Sequence, residues 1–275
     1  MQLLLLFWLI IPVRATEPVY LTLPQSEIRL QNLFALLSQH PAYKEKSLIA
    51  DTINAFLDSA LHLPGSFDYP FDLLRSLGKI TSADQKLRIY TWNSPLSGGN
   101  NKYYGFIQYK TGQKEEIKLY RLTDNRSNIT DPAHAVLNVD NWYGALYYEI
   151  VEIRIEGVAC YTMLGFNPED FFTSQKIIDI LWFNEQYEPA FGKPVFRFQK
   201  QYQSRILFTY SAKAIMSLTW NNDLKMIVYD HLSPIKPSYT GNYQFYGPDF
   251  SYDGLRFEKG IWESVENINV RNSKE

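Results

Sequence analysis

The segment Tyr229-Asp230-His231-Leu232-Ser233-Pro234 sets a carboxylate beside an imidazole at a proline-marked boundary. These are the residue types of general acid–base chemistry, and loop residues at strand ends often carry function. On a strand, however, neighbouring side chains face opposite ways. Asp230 falls on the side of Leu224, Met226 and Val228, with His231 opposite. The two are therefore not expected to share a proton, and capping of the turn is the expected role. Glu149 is a third acid–base candidate. It lies on one strand face with Tyr147, Val151, Ile153 and Ile155, so it is either an inward general acid or the point where that face meets solvent.

A second constellation is Asp249, Ser251 and Asp253 followed by Gly254, which matches the opening of a calcium loop. Oxygen ligands at alternate positions on a tight turn can wrap a hard cation. The match stops further on, because the position that needs a bidentate glutamate is Gly260 and Glu258 comes two residues early. A polar turn between strands is the competing reading. Around it runs an aromatic segment, Tyr239 through Trp262, from which Tyr246, Tyr252 and Trp262 are candidate ligand-binding rings. Exposed rings stack on sugars or grip extended peptides, and buried ones fill a core.

Other chemistry is not indicated. The sequence has no Gly-x-Ser-x-Gly elbow, His-Glu-x-x-His, glycine-rich phosphate loop or Cys-x-x-Cys. No two of His40, His62, His134 and His231 stand at metal-ligand spacing. The single cysteine, Cys160, excludes an internal disulfide and reads as a small buried hydrophobe. A nucleophile paired with His231 is the sharper alternative. A formal net charge of −2, spread along 275 residues, argues against nucleic acid as a partner.

The elements that must position these residues follow from periodicity. Leu3 to Ile11 is an apolar run followed by Pro12, with small residues at Val13 and Ala15. It is far shorter than the roughly 20 residues of a membrane span, so residues 1–15 read as a signal peptide and the mature chain as exported, with no transmembrane segment. Residues 22–78 read as helical. Gln25–Gln39 and 43–62 form a hairpin, and a shorter helix is expected over Asp68–Leu77. From Lys86 the apolar period falls to two, and aromatic residues, 16% of the chain, concentrate in the strand-like segments. Short turns such as Glu156-Gly157, Asn221-Asn222-Asp223 and Lys259-Gly260 imply hairpins and antiparallel pairing. One helix is expected near 168–183, with Asn167 as its cap and Pro168, Glu169 and Asp170 in its first turn. The fold class is α+β and β-rich: an N-terminal helical hairpin, then a mainly antiparallel meander over 86–272, barrel or sandwich, with one inserted helix.

The strings Lys176–Phe183, Tyr229–Pro234, Phe245–Gly254 and Val270-Arg271-Asn272 resemble an uncharacterised family of secreted proteins from Bacteroidetes-type bacteria, over about residues 86–272. The resemblance implies a periplasmic or extracellular location and transfers no catalytic residue. The expected function is a non-catalytic envelope-associated or ligand-binding module with an envelope protein or glycan as partner. The alternative is a carboxylate-dependent hydrolase acting on glycan or peptide, since paired acids leave no short linear signature.

Overall fold

The computed structural model of the chain describes residues 21–112 and 116–269. The expected signal peptide and the last residues of the resembling stretch lie outside these residues.

Among the described residues two helices come first, α1 (Leu23–Gln39) and α2 (Tyr43–Leu61), joined by a three-residue connection around Pro41. Pro24 lies in the first turn of α1, and the Gln25 side chain accepts a hydrogen bond from Thr22 N at 2.9 Å, closing the helix start. Leu30, Phe34 and Leu37 of α1 and Ala50, Ile53, Leu57 and Ala60 of α2 form the buried stripes.

The helix expected over Asp68–Leu77 is absent, and that stretch is a series of turns. Its carbonyls are taken by side chains. The buried Arg88 guanidinium donates to Phe67 O and Tyr69 O, and Lys79 Nζ donates to Phe71 O and Leu74 O. Glu27, buried on α1, accepts from Tyr69 Oη at 2.6 Å and from Leu73 N at 2.8 Å. Charge-assisted bonds to the backbone outcompete the helical ladder over so short a segment.

Among the described residues, fifteen strands follow in three sheets. The first holds β1 (Gly78–Thr81), β2 (Leu87–Pro95), β3 (Asn101–Thr111) and β4 (Glu116–Thr123) in sequence order. The second holds β5 (Leu146–Ile155), β6 (Val158–Pro168), β7 (Thr173–Phe183), β8 (Pro189–Phe191) and β11 (Arg205–Ser211), ordered β11-β7-β6-β5 with β8 also on β7. The third is built from β9 (Phe196–Phe198), β10 (Gln201–Gln203), β12 (Leu218–Asn221), β13 (Met226–Pro234), β14 (Tyr246–Glu258) and β15 (Ile261–Val265), ordered β10-β9-β15-β14-β13-β12. Pairing between these strands is antiparallel except for a short parallel contact of β15 with β9, Trp262 opposite Phe196.

The sheets stack and none closes into a barrel. Tyr90, Trp92, Tyr104 and Phe106 of the first sheet pack against the helices. Its other face, with Leu87, Ile89 and Ile107, packs on Tyr161, Met163, Ile177 and Leu181 of the second. The far face of the second sheet, with Leu164, Ile178, Ile180 and Ile206, packs on Leu218, Ile227, Leu255 and Trp262 of the third. The order of layers is therefore helices, sheet, sheet, sheet.

This layering explains why the helix expected at 168–183 is the central strand β7 instead. Ile177 and Leu181 fill one core while Ile178 and Ile180 fill the other, so both faces are apolar and the period of two disappears into a continuous apolar run. The capping residues belong to a turn. Asp170 Oδ1 accepts from Phe172 N and Thr173 N, each at 2.7 Å. A carboxylate that takes two successive backbone N–H groups looks alike at a helix start and at an Asx turn. On the same strand the fully buried Asp179 pairs with Arg205 of β11 at 2.6 Å. Arg205 also donates to Pro132 O at 2.6 Å, which ties the polar 123–141 connection to the second sheet.

Candidate functional site

The third sheet carries the most site-like residues. β13 and β14 pair regularly from Met226 opposite Arg256 to Asp230 opposite Tyr252, then resume at Leu232 opposite Pro248. Between those points His231 stands against the three residues Asp249 to Ser251, with Phe250 in the left-handed region at φ 71°. Such a bulge bends a strand and re-aims a side chain. The two strands approach closely because residue 254 is glycine: a Cβ there would lie 2.9 Å from Ile227 O.

His231 Nδ1 meets Asp253 Oδ2 at 2.7 Å, with the imidazole 47% and the carboxylate 10% exposed. The second carboxylate oxygen, Oδ1, accepts from Asn267 N at 2.9 Å. That hydrogen bond to Asp253 pushes the His231 pKa above its ordinary value, partial burial opposes it, and the negative charges of Asp253, Asp249 and Glu266 add to the rise. Asp249 titrates below the usual carboxylate range, chiefly because Ser251 Oγ donates to it, at 2.7 Å.

The imidazole opens on a cleft of about 660 Å³. Its walls are the β9–β10 hairpin around its turn (Phe198, Gln199, Lys200), the strand β11 (Leu207 to Thr209), Tyr229 to Leu232 of β13, Tyr243 and Tyr246, Ser264 of β15 and Glu266 just past it. Phe208 lies 4.6 Å from the Tyr229 ring and 5.8 Å from that of Phe198, so aromatic faces line one side. Gln199 and Lys200 both have positive φ, 49° and 64°, the two-residue hairpin geometry that usually calls on Asn-Gly. Side chains held in that region at the mouth of a cleft store backbone strain.

The sequence candidates separate sharply. Asp230 and His231 face apart, as alternation requires. Asp230 Oδ2 accepts from Ser217 N at 2.6 Å and pins the connection before β12. His231 takes Asp253 as its partner, the residue that the calcium reading set aside for a cation. Asp249 accepts from Ser251 N and Oγ while Asp253 is taken by His231; among the described residues no group of three or more His, Cys, Asp or Glu is placed to hold a metal ion. Glu149 keeps only part of its predicted face: a bulge between Tyr147 and Glu149 turns Tyr147 into the core of the first and second sheets, while Val151, Ile153 and Ile155 fill the other core. Glu149 Oε2 accepts from Trp220 N at 3.1 Å, clipping the second sheet to the third.

Of the three candidate rings, Tyr246 lines the cleft and its hydroxyl accepts from Gly241 N at 3.0 Å. Tyr252 is half-buried opposite Asp230 and is not among the residues that line the cleft. Trp262 corrects the ligand reading. It is wholly buried, with Nε1 donating to Thr162 Oγ1 at 3.1 Å across the two sheets, so neither ring face is open to a ligand. Cys160 is likewise buried in that core, and burial pushes its thiol pKa up. His231 has Asp253 as its hydrogen-bond partner. Phe198, Lys200, Phe208, Thr209, Ser264 and Glu266 escaped the sequence reading, since no motif joins residues from three separate strands and the turns beside them.

Comparison with known proteins finds no matching family model, no matching curated protein and no matching solved structure. Among the described residues, no helix is long and apolar enough to cross a membrane.

Proposed function

We propose that this chain is an exported, non-catalytic binding module of the cell envelope, and that its ligand site is the cleft of His231, Asp253, Tyr229 and Tyr246. The signal-peptide pattern of residues 1–15 and the resemblance to secreted Bacteroidetes-type proteins support export. The cleft carries the binding reading: its volume of about 660 Å³ lies within the range of ligand pockets, and rings stand beside a few polar groups. An envelope protein or a glycan fits that lining. Binding is favoured over catalysis because the other candidate groups are engaged elsewhere: Glu149 on Trp220 N, Asp230 on Ser217 N, and Cys160 in the core. The test is retention on a panel of immobilised polysaccharides and envelope-derived peptides. Tyr246→Ala and His231→Ala are expected to weaken the retained interaction about tenfold or more, with the melting temperature falling by no more than about 2–4 °C. Unaltered retention in both variants would remove the cleft as the site.

One observation favours hydrolysis as a second reading. An imidazole oriented by a mostly buried carboxylate is the arrangement of a general base. Chromogenic glycosides and peptides measure it directly. A true base requires His231→Ala to slow turnover about 100-fold or more, and equal rates in wild type and variant would end this reading.

A further inference from the structure

The cleft runs along an unpaired strand edge. Three consecutive residues of β11, Leu207, Phe208 and Thr209, line it. Side chains on a strand alternate, so three in a row mean that the cleft borders the backbone itself. The direction of the polar groups can be traced. Gly192 N donates to Ile180 O at 2.7 Å, which turns the even-numbered residues of β7 toward β8 and β11. Those residues therefore bond Ile206, Phe208 and Tyr210, and the odd-numbered residues of β11 point away from the sheet. Both ends of that outer edge are closed: Arg205 N donates to Ala133 O at 3.1 Å, and Ser211 O accepts from Ala214 N at 2.9 Å. Between them, the N–H and C=O of Leu207 and Thr209 have no main-chain partner among the described residues.

Sheet edges are usually shortened or charged, which prevents pairing with foreign strands. β4 carries Glu116, Lys118 and Arg121, and β5 carries Glu149, Glu152 and Arg154. The outer strands β1, β10 and β12 have four, three and four residues. β11 is seven residues long and uncharged from Ile206 to Ser211. It is flanked instead by the walls of the cleft.

We propose that the cleft takes an extended peptide segment of another protein, added as a strand to β11 through the N–H and C=O groups of Leu207 and Thr209. This rests on the cleft being the ligand site. Two donors and two acceptors at alternate positions are the complement of three residues of extended main chain, which a sugar does not reproduce. An alternate side chain of the peptide would lie against Phe198, Phe208 and Tyr229, beside His231, so main-chain bonds give affinity and the rings give preference.

Selection of random nine-residue peptides displayed on phage against the full chain supplies the probe, and fluorescence anisotropy of the enriched peptides supplies the readout. Thr209→Pro removes one outward N–H and no bond to β7, so the sheet tolerates it. Thr209→Val keeps that N–H while losing the hydroxyl that accepts from Gln175 Nε2. Enriched peptides are expected to bind wild type and Thr209→Val alike and Thr209→Pro about tenfold or more weakly. N-methylation of the peptide at alternate amides should abolish binding in one register and spare it in the other. Peptides that bind Thr209→Pro as tightly as wild type but lose binding to Tyr246→Ala would overturn strand addition and leave the cleft as the site. Binding of glycans but of no peptide would do the same, and binding of neither would overturn both readings. Binding that appears only when residues 270–275 are removed would assign the edge to this chain's own tail and overturn a foreign partner.

Discussion

The pair of His231 and Asp253 should make stability depend on pH in a specific direction. The imidazole gains a carboxylate partner on folding, so its folded pKa is raised above the ordinary imidazole value of about 6.5. A raised folded pKa means that the native state holds the proton more tightly than the unfolded chain. The contribution is therefore fully present below the unfolded pKa and is lost as pH rises through the folded one. The imidazole is 47% exposed, so solvent screening limits the pair to about 1 kcal/mol or less. In a chain of this size that amounts to about 2–4 °C in melting temperature. Melting at pH 5.5 and pH 8.5, wild type against Asp253→Asn, isolates the term: the wild type should lose more on going to high pH, and equal losses would dissolve the pair. The histidine was visible in the sequence and its partner was not. Asp230 is the neighbour in the chain, but alternation turns it away, and Asp253 arrives from the next strand, where it stands opposite Tyr229 on the face that His231 shares.

Among the elements, the turn before β7 tests why a strand stands where helix signals accumulate. Asp170 Oδ1 gathers Phe172 N, Thr173 N and Thr173 Oγ1 and so starts the strand. These bonds hold the Asp170 carboxyl below the usual carboxylate range against the opposing pull of burial. Asp170→Ala should cost about 1 kcal/mol, read from the denaturation midpoint, while Asp170→Asn, which keeps an acceptor, should recover part of it. If Asp170→Ala leaves the midpoint unmoved, the turn is not what begins β7. Periodicity succeeded where one face of an element is wet. The stripe of Ile53, Leu57 and Ala60 gave α2, and the hairpins at Glu156-Gly157 and Lys259-Gly260 were readable from their turn residues. It failed at β7, where two cores erase the alternation, and at 68–77, where Arg88 and Glu27 reach the backbone from distant segments. Neither cause is local, so neither leaves a mark in a short window of sequence.

For the molecule as a whole, the helices and the sheets share one body. The division near residue 80 separates helix from strand, yet the core beneath the helices is made jointly: Phe34, Ile53 and Leu57 on one side, Tyr90, Trp92, Tyr104 and Phe106 on the other. The Trp92 and Tyr104 rings stack at 4.1 Å, with Phe34 edge-on to Trp92 at 5.3 Å. The first sheet thus has two apolar faces and depends on a layer on each side. Removing residues 22–62 would bare those four rings. At roughly 1.5–3 kcal/mol for each buried large side chain, the loss is about 6–12 kcal/mol, comparable to the entire stability of an ordinary domain. The truncated chain is therefore expected to lose cooperative melting and to bind a hydrophobic dye, even though the cleft lies two sheets away and touches neither helix. A truncated chain that melts cooperatively at the full-length temperature would mean that the strands fold alone and the helices are an appendage. The same result would free the cleft from any dependence on the hairpin, whereas joint loss of melting and binding would tie the ligand site to a core on the opposite side of the stack.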